Sequence, residues 1–332
     1  MDKRALPLCS EERGAALLTI LLLVAIMAVI SATALEKLTL STRLAANAGG
    51  QDQARAFADS ASLIVRKRFA DLVAAQPGRV TLEGDWLGRP QALAVPGGTA
   101  TITPYDAGNC FNLNSLVTGQ TENLLKGRPV AISQFVSLMQ LLGVAPGQAQ
   151  GIAMAASDWI DSDTVPQQGG AEDETYMGSD IPYRAANRMM IDASELRAVA
   201  GVTPAIYNLL KPWICALPTT DLSPINVNTL LPEQAPLFAM LVPGKLSLDN
   251  ARSMLAERPA SGYGSTVTFW KAPALRGLTP PAEVEQQVRL ITRWFRAELN
   301  VEIGGTHMRQ WALYDAQSEP VKLVRRSWGE AR

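Results

Sequence analysis

The apolar and polar positions divide the chain into blocks of different texture. The run from Ala15 to Leu35 (AALLTILLLVAIMAVISATAL) holds 21 positions without a charge. At about 1.5 Å per residue, a helix of that length spans a hydrocarbon core about 30 Å thick. Beyond it, proline is absent from Glu36 to Ala75, and Leu38, Leu44, Ala48, Ala54, Phe57, Ala58, Ala61, Ile64, Val65, Phe69, Leu72 and Val73 recur at helical spacing. The pattern predicts one helix over 15–76, half in lipid and half amphipathic, weakened at Gly49-Gly50 and ended by Gln76-Pro77-Gly78.

Short strand signals follow at Val80–Leu82, Ala92–Val95 and Ala100–Thr103. From about Leu113 to Leu217 the texture is helical, with helices expected at Ile132–Leu142, Pro146–Ile160, Ala193–Val199 and Pro204–Ala216. Ile225–Thr229 reads as a strand, followed by helices at Leu230–Leu241 and Ser247–Arg258. The carboxyl-terminal part returns to strands. A two-residue turn at Gly304-Gly305 pairs Ile303 with Thr306, Val301 with Met308, Leu299 with Gln310, Ala297 with Ala312 and Phe295 with Tyr314. The other face pairs Glu302 with His307, Asn300 with Arg309 and Trp294 with Asp315, so one register suits both faces. Val321–Arg326 supplies a third strand. The fold class expected is α+β: a long amino-terminal helix, an antiparallel β-sheet and a large inserted α-helical domain. The expected divisions are 15–76, 77–112, 113–222 for the insertion, and 223–332.

Composition narrows the chemistry. The 332 residues carry 30 Lys+Arg against 31 Asp+Glu, a net charge of −1, so no basic field attracts nucleic acid. One histidine, His307, excludes multi-histidine metal centres and is most simply the cross-strand partner of Glu302. The three cysteines form no CxxC pair. Lys3, Arg4 and Arg13 keep the short end cytoplasmic, which puts the body across the membrane. An ordinary signal peptide cut after Ala32-Thr33-Ala34 is the competing reading, but the apolar run exceeds the usual h-region of about 7–15 residues.

A short polar leader ending in Gly14, with Ala15 opening the apolar run, resembles the prepilin peptidase site of type IV pilins and type II secretion pseudopilins. The resemblance implies removal of residues 1–14 and a methylated Ala15 at the new terminus. Most of that family carry a glutamate five residues into the mature chain, where this sequence has Thr19. The departure fits one subclass, the minor pseudopilin K of the type II secretion system. An intramembrane glutamate needs a partner such as the next subunit's amino terminus, so a subunit without it belongs at the first position of a filament. The family's α/β fold with a helical insertion matches the organisation above. The resemblance implies a single-pass inner-membrane protein with a periplasmic body and a pseudopilus-priming tip shared with minor pseudopilins I and J. With Cys9 lost in the leader, Cys110 and Cys215 remain near the two ends of the insertion. A bridge is expected in an oxidising compartment, with two buried free thiols as the alternative.

From Asp158 to Tyr183 there are seven carboxylates and no Lys or Arg. Asp161, Asp163 and Glu172 stand at positions one, three and twelve of an EF-hand-like frame. Val165 and Pro166 occupy the fifth and sixth positions, which excludes a true EF-hand. Oxygen-only ligands favour Ca²⁺ over zinc or copper, against the plain alternative of a solvated acidic loop. The D-W-x-D-x-D run, the G-A-E-D-x-x-Y run and Tyr183–Asn187 are closely similar to pseudopilin K, a calcium-binding family. The resemblance implies Asp161, Asp163, Glu172 and Asp173 as ligands, with Asp158, Glu174, Asp180 and the Tyr176 carbonyl behind them.

Two other functions compete with filament assembly. Leu141–Pro146 and Ile225–Asn228 with Val242–Gly244 resemble helix-hairpin-helix units, which would make a signal-anchored DNA-binding protein, although no basic patch supports it. An exported enzyme using the acidic loop as its metal site is the third reading. No G-x-S-x-G elbow is present, and the expectation is of no catalysis.

Overall fold

The computed structural model describes residues 10–329, so Cys9 and most of the expected leader lie outside the described residues. One helix, α1 (Ser10–Ala75), runs unbroken through Gly49-Gly50. From Gly14 to Gly49 every residue is exposed, and the helix is long and apolar enough to cross a membrane. Its second half is docked. Ala54, Ala58, Ala61, Val65 and Phe69, spaced three and four apart, are buried on one stripe.

That stripe covers one face of a five-stranded antiparallel sheet, built from β1 (Gln91–Val95), β2 (Gly98–Asp106), β3 (Trp294–Ile303), β4 (Thr306–Asp315) and β5 (Lys322–Trp328), in that spatial order. The β3–β4 register is the one the alternation dictates, from Ile303 beside Thr306 to Trp294 beside Asp315. Gly304 and Gly305 take φ of +56° and +80°, the left-handed pair a two-residue hairpin turn requires. Phe295, Ala297, Leu299, Val301 and Ile303 face the helix together with Ala100, Ile102, Ala312 and Tyr314. Small residues sit where the helix comes closest. At Gly50 an added Cβ would lie 2.5 Å from the Thr306 hydroxyl at the hairpin turn. Further along, Phe69 stacks on Phe295 at 4.5 Å and meets Tyr314 edge-on at 5.4 Å.

The sheet is a plain meander interrupted once. Its middle connection, residues 107–293, is the entire helical body. The longest helices there are α2 (Pro129–Leu141) and α3 (Pro146–Ile160), and shorter ones are α4 (Asp173–Met177), α5 (Pro204–Leu210), α6 (Ala235–Ala239), α7 (Leu248–Ala256), α8 (Thr266–Trp270) and α9 (Ala282–Gln287). One buried apolar cluster extends from Phe111 to Val288, so the body is larger than the expected 113–222 and includes the 225–288 segment.

Four local expectations are corrected. Val80–Leu82 is not a strand, because the Val80 N–H is taken by the Leu290 carbonyl and its carbonyl by Asn226. Ala193–Ala198 is a 3₁₀ helix closed by an Asp192–Glu195 capping box. The helix from Pro204 stops at Leu210, because Ile214-Cys215 pairs in parallel with Phe111-Asn112. The Leu230–Leu241 helix reduces to a 3₁₀ turn at Pro232–Gln234 and α6.

Candidate metal centre in the acidic loop

Helix α3 opens with Pro146 at its first turn and ends at Ile160, with the Asp161 N–H closing on the Ser157 carbonyl at 2.9 Å. The last turn therefore holds Asp158 on the inside and delivers Asp161 at the helix end. Asp158 is fully buried, and its carboxylate is saturated by loop donors: Gln167 N (3.1 Å), Gln167 Nε2 (2.9 Å) and Ala171 N (2.9 Å). A Cβ on Gly170 would stand 1.9 Å from Asp158 Oδ2, so the loop can close over this carboxylate only with glycine there. Asp158 thus shapes the loop instead of facing its opening. Glu172, the residue before α4, is carried back toward Asp161 by that closure.

One carboxylate oxygen from each of Asp161, Asp163 and Glu172 lies within 4.8 Å of the others. Asp161 and Glu172 are each only 3 % exposed, while Asp163 is exposed. Asp161 Oδ1 and both Glu172 carboxylate oxygens are buried without a hydrogen-bond partner. Unpaired buried carboxylate oxygens are costly, and an all-oxygen set of this kind could satisfy them by holding a hard cation. Burial first, then repulsion from Asp163, Asp158 and Glu172, pushes the Asp161 carboxyl up to about 7. Burial, then Asp158, Asp163 and Asp173, pushes Glu172 up to about 7 as well. The donor set fits a hard divalent cation.

The remaining candidates stand apart from this cluster. Asp173 Oδ1 accepts from the Ala185 N–H at 3.0 Å and Oδ2 lies 3.5 Å from Arg184, so its carboxylate anchors the returning chain. Glu174 and Asp180 are exposed. The Tyr176 carbonyl accepts from the Ser179 hydroxyl at 2.7 Å. Asn187, read in the sequence only as part of the Tyr183–Asn187 run, is a residue sequence reasoning missed. Its Nδ2 donates to the Asp163 carbonyl at 2.9 Å, its Oδ1 is buried and unpaired, and its φ is +45°. Its signal was asparagine's tolerance of the left-handed region. Trp159 packs edge-on against Tyr176 at 5.2 Å behind the loop.

Cys110 and Cys215 form a disulfide with Cα atoms 5.9 Å apart. His307 Nε2 lies 3.7 Å from Glu302, both exposed. The two turns resembling helix-hairpin-helix units join α2 to α3 and α6 to α7, inside the body's common core.

Two family models, both described as Type II secretion system (T2SS), protein K, match residues 109–219 and 225–289. A type II secretion system protein K from Pectobacterium carotovorum subsp. carotovorum is 32% identical over 97% of this chain and 98% of its own. The chain belongs to the type II secretion system protein K family. Its relative from Klebsiella pneumoniae is 33% identical over 96% of this chain and 97% of its own. Among solved structures, it is similar to a chain of the GspK-GspI-GspJ complex of enterotoxigenic Escherichia coli, with a TM-score of 0.73, 28% identity, and coverage of 84% of this chain and 97% of that one. This protein K family member is a minor pseudopilin of the type II secretion system, with a long amino-terminal helix, an antiparallel sheet and an inserted helical body. The family is a structural component of the system, and nothing in these likenesses supports the DNA-binding alternative.

Proposed function

We propose that this minor pseudopilin is anchored in the inner membrane by its first helical half, carries its body in the periplasm and caps the pseudopilus tip. In that place it primes the filament with minor pseudopilins I and J, and helps move folded proteins across the outer membrane. The observation that carries the reading is where the body sits. Gly50 is level with the hairpin turn at Thr306, and Phe69, further from the anchor, is level with Phe295 and Tyr314. The chain leaves the sheet for the body at Asp106 and returns at Trp294, the same far end. The body therefore lies beyond the sheet, on the side where a preceding subunit would sit.

Thr19 supports the same reading, because its hydroxyl is bonded to the Ala16 carbonyl within the helix and offers no charge to a preceding subunit's terminus. The acidic loop would hold a structural calcium ion, with Asp161, Asp163 and Glu172 as ligands. A metal there would neutralise the carboxylate group and order the loop between α3 and α4.

The test is the mass and partner set of the mature protein, purified from cells that hold the whole secretion system. The expected product begins at methylated Ala15 and copurifies with minor pseudopilins I and J, while Gly14→Ala keeps its leader. A product beginning at Leu35, the outcome of signal peptidase cleavage, overturns the anchored reading.

A further inference from the structure

The neck between sheet and body contains a closed ring of hydrogen bonds. The chain crosses it twice, outward after Asp106 and back through Thr292, and the Ala107 N–H donates to the Trp294 carbonyl at 2.8 Å. The half-buried Asp106 carboxylate accepts from the Thr229 hydroxyl at 2.6 Å, from the Thr292 hydroxyl, and from Gly108 N at 2.9 Å. Thr292 Oγ1 accepts in turn from Asn226 Nδ2 at 2.9 Å. The same amide donates to the Val80 carbonyl, at 3.1 Å, on the chain that leaves α1. Asn109 closes the ring, its Oδ1 accepting from Asn226 N at 2.9 Å and its Nδ2 donating to Thr229 Oγ1 at 2.9 Å. Asn226 and Thr229 are wholly buried, and Thr292 is 2% exposed.

Other links across the neck differ in kind. Arg293 forks onto Asp315 on the sheet side, but its reach to Asp221 in the body is 3.8 Å and Asp221 is 70% exposed. Arg325 makes one bond to the Ala216 carbonyl. Leu217, Trp294 and Leu313 form a small apolar contact, which is non-directional. The disulfide joins Cys110 to Cys215 beside the Phe111–Ile214 bridge, so it closes the body on itself. Among the described residues, the Val80 N–H bond to the Leu290 carbonyl at 2.7 Å is also buried and directional, but it is a single backbone bond. The ring is a side-chain network, and a buried, fully connected polar network tolerates one geometry.

We propose that Asp106 and Asn226, acting through Thr292, are positioning residues that hold the helical body at one fixed angle to the sheet. The consequence deepens the tip reading, since a cap must stay over the end of its own sheet. The measurement below depends on no partner, so its failure is distinct from failure of that reading.

Spin labels at two exposed positions, Leu63 on α1 and Val267 on α8, in a full chain carrying Cys9→Ser would report the sheet-to-body distance by pulsed electron resonance. The unaltered neck should give one narrow distribution. Asp106→Ala and Thr292→Val should broaden it at least twofold, and Thr292→Ser, which keeps the hydroxyl, should leave it narrow. A narrow distribution in both Asp106→Ala and Thr292→Val overturns the proposal, even where the melting temperature falls. Should Asp106→Ala not fold, Thr292→Val decides alone, because it exchanges one hydroxyl for a methyl.

Discussion

At the scale of single residues, the acidic loop has a sign that solution work can read. Asp161 and Glu172 hold carboxyl pKa values near 7, above the ordinary range of an unfolded chain. Without a metal, the native state then binds more protons than the unfolded state between about pH 4 and pH 7, so stability falls as pH rises through that window and levels off above it. Neutralising both groups with Asp161→Asn and Glu172→Gln should leave the protein in a chelator at pH 8 as stable as the parent, or a few degrees more so. Calcium should do the reverse. At a hundredfold excess over Kd it adds about 2.7 kcal/mol to the parent, roughly 5–10 °C for a body of this size, and nothing to the double variant. Differential scanning calorimetry with and without calcium measures all four states, and equal melting of parent and variant in calcium would remove the site. Asp161, Asp163 and Glu172 were legible because dense carboxylates without a cation in sequence are unusual. Asp173 could not be sorted from them by sequence, and Asp158 was set behind them only through the resemblance. Most of their partners are the backbone N–H groups of Gln167, Ala171 and Ala185, which carry no side-chain signature, beside the Gln167 amide and the Arg184 guanidinium.

At the scale of elements, alternation was a complete guide where both faces were constrained. The β3–β4 hairpin follows its predicted register at every pair, since apolar residues on one side and Glu302–His307 on the other reject a one-residue slip. The turn makes that register testable. Gly305 sits at φ +80°, so Gly305→Ala should cost about 1 kcal/mol or more, read as a lower urea midpoint with an unchanged slope. An unchanged midpoint would mean that the turn does not hold the register. The long helix α3, with its proline start, was legible for the same reason, and α2 was found but begun three residues late, at Ile132 instead of Pro129. Two of the misses share a cause. Val80 and Ile214-Cys215 satisfy their backbone groups with residues distant in sequence, at Leu290 and Asn226 for the first and at Phe111-Asn112 for the second. No local pattern encodes such partners. The body's true extent was hidden too, because a helical block and a later helix pair look separate in sequence until one core joins them.

At the scale of the molecule, the architecture is a docked helix and meander sheet with a second core hung between β2 and β3. The sheet keeps its own apolar cluster with α1, from Ala54 to Val321, distinct from the cluster spanning Phe111 to Val288. The two chain crossings already touch at Ala107 and Trp294. Replacing residues 108–292 by a turn of about four residues should therefore yield a sheet domain that still folds. Circular dichroism would show one cooperative melting transition with a larger strand share. Inserted by its unaltered α1 into cells lacking their own copy, this shortened chain should leave protein export at least tenfold below the parent, because a bare sheet end no longer caps the filament. Retained export at the parental level would place the tip function in the helix and sheet alone. A chain that folds, inserts and fails to export would assign the cap to the helical body, in keeping with its place at the end of the sheet farthest from the apolar half of α1.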